Sequence, residues 1–142
     1  MTPHQTALVQ ASFATVAPRA DEVAVLFYQN LFALDPGLRR LFPAEMAEQR
    51  RKLMAALAAA VQALARPEAV IPALQALGRR HAGYGVEEHH YDMVGAALVA
   101  TLRDGLGEAF DTETEAAWAA CYALVATTMR GAVRAELVPA AA

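Results

Sequence analysis

No stretch of this chain alternates apolar and polar residues with β-branched side chains in the apolar places, as a half-buried strand requires. Instead, prolines and glycines cut it into segments whose apolar residues recur every three or four positions, the spacing of an amphipathic helix. Composition points the same way. Of the 142 residues 35 are Ala and 16 are Leu, while Ile occurs once. Ala and Leu are strong helix formers, and strands prefer β-branched residues such as the nearly absent Ile. The expected class is all-α. A chain of this length suits one domain and buries roughly two-thirds of its unfolded surface, so one core needs neither disulfide nor structural metal.

The punctuation places the helices. Thr2-Pro3 opens the first, a cap residue followed by proline at the first helical position, and Pro18 marks its end. The second begins with Asp21 and Glu22, acids suited to a helix N-terminus, and stops at Asp35-Pro36. A short helical turn runs from Gly37 to Phe42. A long helix is expected from about Ala44 to Ala65, with Gln49, Leu53, Leu57, Val61 and Leu64 on one stripe. The next spans Glu68 to about Ala82, carries Leu74, Leu77, Gly78 and His81, and ends at Gly83 and Gly85. Helices from Glu87 to about Leu106 and from Asp111-Thr112-Glu113 to about Leu137 bring the expected number to seven or eight.

Several function classes drop out. The lone Cys121 supports no intrachain disulfide, Cys-rich zinc site or iron–sulfur cluster. A net charge of −3 argues against a nucleic-acid partner. The N-terminus shows no secretory signal, and the longest charge-poor stretch, Leu53 to Ala65, is too short to span a bilayer. The expectation is a cytoplasmic protein without a membrane span. There is no phosphate loop, nucleophile elbow, His-x-x-x-His pair or paired carboxylate.

His81 is the first residue with chemistry to offer. It follows Leu77 by four residues, so the Leu77 carbonyl lies within reach of its Nδ1–H. That bond would leave Nε2 to ligate a metal. A core histidine bonded to a carbonyl is the other reading. Tyr28, Gln49 and Tyr91 are polar residues among apolar neighbours, either satisfied core groups or the placed polar groups of an apolar pocket. Phe42, Trp118 and Tyr122 read as core aromatics. Met46, Met54, Met93 and Met129 read as core fillers. His4, His89 and His90 read as surface residues near helix starts.

Taken in order, these segments resemble a known family. Leu26-Phe27-Tyr28-Gln29-Asn30-Leu31-Phe32, Asp35-Pro36 and Leu41-Phe42 resemble the second and third helices of a globin. Gln49-Arg50-Arg51-Lys52-Leu53-Met54 resembles a distal helix with Gln in the usual His place. Leu77 to His81, Tyr84-Gly85-Val86 and His90 to Gly95 resemble the proximal region of single-domain bacterial globins and of the globin domain of flavohaemoglobins. The resemblance implies a globin fold over residues 1–138, a three-on-three helical sandwich around a haem pocket, with residues 139–142 as a frayed tail. It implies haem b, bound non-covalently because no Cys-x-x-Cys-His motif exists.

The resemblance also implies roles. His81 matches the iron ligand and Phe42 the aromatic on the haem edge. Tyr28, Gln49 and Leu53 match the distal pocket, and Lys52 and Arg80 match positions that reach the haem propionates. Leu77, Val86, Tyr91 and Val94 fall in the proximal region. A glutamate that joins the proximal His and Tyr in flavohaemoglobins is replaced by Val133, with Glu136 one turn further. The implied function is reversible binding of O2, and of NO or CO, by a monomer or weak homodimer. The alternative is a nitric oxide dioxygenase served by a separate reductase, since no reductase domain is expected on this chain. A haem-based sensor or a haem-free interaction domain comes third.

Overall fold

A computed structural model describes residues 1–83 and 89–137. Among the described residues there are six α-helices, three short 3-10 helices and no strand. The first, α1 (Pro3–Val16), carries the expected cap. Thr2 accepts from the Gln5 backbone N–H, Gln5 reaches back to Thr2, and Pro3 occupies the first turn. Such a cap contributes on the order of 1 kcal/mol. A 3-10 turn over Ala17–Arg19 leads into α2 (Ala20–Leu34), with Asp21 and Glu22 in its first turn.

Pro36–Leu41 is a 3-10 helix, so the α-helices number fewer than the seven or eight expected. The reason is its length. Six residues bounded by proline close i→i+3 bonds, Leu38 N–H to Asp35 O and Phe42 N–H to Arg39 O, both 3.1 Å, rather than α-helical ones.

The long helix α3 (Ala47–Ala63) starts three residues later than the periodicity suggests. The Ala44 carbonyl accepts from the Arg39 side chain, and Glu45 accepts from the Ala47 N–H, so the first turn forms beyond them. Helix α4 (Pro67–Gly83) contains Pro72, which removes one helical donor on an exposed face without breaking the helix. Helix α5 (His90–Leu106) ends at Gly107, whose φ of +56° suits a residue without Cβ. The expected Glu87 start, Gly85 and the tail 139–142 lie outside the described residues. Helix α6 (Thr112–Leu137) begins where Asp111 accepts from the Thr114 N–H at 2.8 Å.

Helices α1 and α4 both pack on α6, and α2 crosses α5. The main core joins Val9, Phe27, Leu31, Val61, Ala97, Leu98, Leu102 and Trp118. Two polar ties run through it. The Trp118 indole N–H donates to Ser12 Oγ at 2.8 Å, and Asn30 donates to Thr101 at 3.0 Å. A second apolar cluster gathers Leu74, Tyr91, Ala126 and Met129 between α4, α5 and α6. Tyr122 packs on both clusters. No described helix is long and apolar enough to cross a membrane.

Candidate functional site

Tyr28 lies on the inner face of α2 and is only 6% exposed. Its ring meets Phe27 at 5.1 Å, Phe42 at 5.4 Å and Phe32 at 5.8 Å between centroids. Gln49, in the first turn of α3, donates from Nε2 to the Tyr28 hydroxyl oxygen at 3.2 Å. Burial pushes the Tyr28 phenol above its ordinary pKa, with the Gln49 bond opposing. Leu53 follows Gln49 by one turn and packs against the main core. Phe42 caps the 3-10 helix and closes the aromatic wall against Tyr28 and Phe32. Three residues distant in sequence are thus assembled, Tyr28, Phe42 and Gln49.

His81 stands in the last turn of α4, half-buried, with Nδ1 2.8 Å from the Leu77 carbonyl oxygen, as its spacing predicts. Burial lowers the imidazole pKa and the nearby Arg80 charge adds to that, while the Leu77 bond opposes both. The ring is therefore neutral near pH 7, with its proton on Nδ1 and its lone pair on Nε2. Leu77 packs with Leu74, Tyr91 and Met129.

Tyr91, in the first turn of α5, is buried, and burial raises its phenol pKa. The Arg130 guanidinium lies 5.0 Å over its ring and bonds Asp92 at 3.2 Å. Val94 packs on the main core, and Lys52 and Arg80 are exposed. Val86 lies outside the described residues. So do the side chains of Val133 and Glu136, although α6 runs through both positions.

One histidine departs from expectation. His90 is buried rather than on the surface, with its ring 4.2 Å from that of His89. As the first residue of α5 it shares the inward stripe of Val94, Ala97 and Thr101, at spacings of four, seven and eleven. Sequence reasoning passed over Arg39 and Arg130. Arg39 bonds carbonyls three to five residues on, in a segment without helical periodicity, and Arg130 reaches Asp92 across 38 residues.

The globin family model matches residues 25–129, most of the chain. The chain belongs to the globin family. The flavohemoprotein of Bordetella parapertussis is 32% identical over 99% of this globin, and the match covers 36% of that protein. This globin thus spans about a third of the length of the curated relatives it matches. Two solved structures share its fold. The bacterial globin from Campylobacter jejuni has a TM-score of 0.84 at 22% identity, covering 96% of this chain and 99% of that one. An engineered carbene transferase from Rhodothermus marinus, provisionally assigned as a nitric oxide dioxygenase, has a TM-score of 0.83 at 25% identity, covering 99% of each. The fold is the all-α globin fold that the sequence resemblance implies.

Proposed function

We propose that this globin holds haem b through His81 Nε2 and reversibly binds O2 on the side that carries Tyr28 and Gln49. The observation that carries the reading is the imidazole itself. It is half-buried and neutral, and its Nδ1 proton is committed to Leu77, which orients Nε2 as a ligand atom. The residues that the family resemblance places around the haem suit a flat apolar group. Phe42, Leu53, Leu57, Leu77, Met93 and Val94 are apolar yet only half-buried, and a porphyrin would cover such a set. When bound, haem supplies an iron atom able to take up a diatomic gas.

Tyr28 is the residue that meets the gas. Its oxygen accepts the Gln49 amide proton, so its own O–H is directed to another acceptor. The raised pKa keeps that proton in place at neutral pH. Gln49 orients and polarises the phenol rather than acting as an equal second donor. Lys52 and Arg80, both exposed cations, are suited to the haem carboxylates.

The test is the absorption spectrum of the ferric, ferrous and oxygenated protein beside His81→Ala. One haem per chain, with a Soret band and a proximal Fe–N bond lost in the variant, is the expected result. Identical haem retention and ferrous spectra in both proteins would refute the assignment.

A second reading is conversion of NO and O2 to nitrate with one electron from a separate reductase. The Rhodothermus marinus neighbour and the flavohemoprotein relatives favour it. Catalytic NO consumption with an added reductase and NADH supports this reading. A single stoichiometric reaction under the same conditions supports gas binding alone.

A further inference from the structure

Arg39 lies in the 3-10 helix and is half-buried, and it turns its guanidinium onto the chain that follows. Nη1 donates to the carbonyl oxygens of Phe42 at 3.2 Å and Pro43 at 2.8 Å, and Nη2 donates to that of Ala44 at 3.1 Å. The guanidinium carbon also stands 5.6 Å from the centre of the Phe32 ring. Phe32 packs edge-on against Phe42 at 5.5 Å and lies 5.8 Å from Tyr28. Residues 42–46 belong to no helix, and Pro43 has no N–H to contribute. One side chain therefore ties the backbone of this corner to the aromatic wall that holds Tyr28.

We propose that Arg39 is the latch of the corner between Phe42 and Met46, a positioning residue that holds the Phe42 ring and the Tyr28 phenol in place and so governs how fast haem escapes. This rests on the haem-binding reading above. Arginine suits the task because its planar fork presents donors to three successive carbonyls while its face lies on an aromatic ring. A lysine ammonium is a point charge without that plane. The Ala44 carbonyl that accepts from Arg39 lies just before the first turn of α3.

The experiment compares wild type with Arg39→Met, Arg39→Lys and the exposed neighbour Arg40→Met. Four quantities are measured: haem transfer to excess apomyoglobin, amide hydrogen exchange of the haem-free chain, the C–O stretch of the ferrous CO complex, and the urea midpoint. Arg39→Met should speed haem loss about tenfold, equivalent to ~1.4 kcal/mol. Exchange should rise at residues 44–50 alone, and a second C–O band should report a displaced Tyr28. Arg39→Lys should recover part of each effect, and Arg40→Met should match wild type.

Unchanged haem loss and corner exchange in Arg39→Met overturn the latch. So does a uniform rise in exchange in both Arg39 variants, which would mark a general stability role. If wild type binds no haem through His81, the haem reading fails separately. Corner exchange in the haem-free chain then still decides whether Arg39 holds Phe42.

Discussion

Gly78 lies directly against the backbone of Met129. A Cβ added there would stand 2.6 Å from the Met129 carbonyl oxygen and 2.7 Å from its Cα. Helix α4 approaches α6 this closely only where no side chain intervenes. His81 follows Gly78 by three residues on the same helix, so the depth at which α4 lies on α6 sets where the imidazole stands.

Gly78→Ala should therefore destabilise this globin. Better helix propensity would contribute up to ~1 kcal/mol. Overpacking against backbone that cannot rotate aside costs about 1–3 kcal/mol and wins. A lower urea midpoint and a shifted Fe–His stretching frequency are the expected results. An unchanged midpoint would mean the two helices separate at no cost.

Tyr28→Phe should raise the O2 dissociation rate more than Gln49→Leu. A hydrogen bond to a ligand carrying partial charge contributes about 1.5–3 kcal/mol, or roughly 10- to 150-fold in rate. Gln49 gives one of its two Nε2 protons to the Tyr28 oxygen, so part of its effect passes through the phenol. Laser photolysis or stopped-flow displacement measures both rates. The reverse order would place Gln49 as the main donor.

Ser12→Ala should cost about 1–3 kcal/mol of stability, because it strands a buried indole N–H. Trp118 is 2% exposed, so its indole N–H depends on the Ser12 acceptor. A double-mutant cycle with Trp118→Phe isolates the coupling. Additive free energies would show that the bond contributes nothing.

Alkaline pH should destabilise the haem-free chain. Burial pushes the Cys121 thiol up to about 11 and raises the phenols of Tyr28, Tyr91 and Tyr122. The unfolded chain therefore releases protons at lower pH than the folded one. Stability falls as pH rises above the ordinary thiol range, the Cys121 part levelling off near 11. Urea midpoints between pH 7 and 11 measure this. Cys121 should also resist a thiol reagent at pH 8 until the chain unfolds.

The local features of this fold were legible in the sequence because their causes are local. Thr2 with Gln5, the acids at the start of α2 and the stops at Pro36 and Gly107 act within a few residues. The His81–Leu77 bond spans four residues and follows from helical geometry alone. The candidate site residues were singled out by a resemblance in their order along the chain, which groups Tyr28, Phe42, Gln49 and His81.

Tertiary structure decided the rest, wherever the partner lies far off in sequence. Gln49 meets Tyr28 across 21 residues, a contact made only when α3 folds back on α2. His90 is buried because α5 turns that face inward, although its place beside His89 at a helix start suggested the surface. Gly78 has its reason 51 positions away, at Met129. By itself the sequence determined which segments are helical and which residues are chemically equipped, since propensity, capping and periodicity act over one or two turns. Only packing decided which of those residues touch, because each contact depends on how closely and at what angle two distant helices approach.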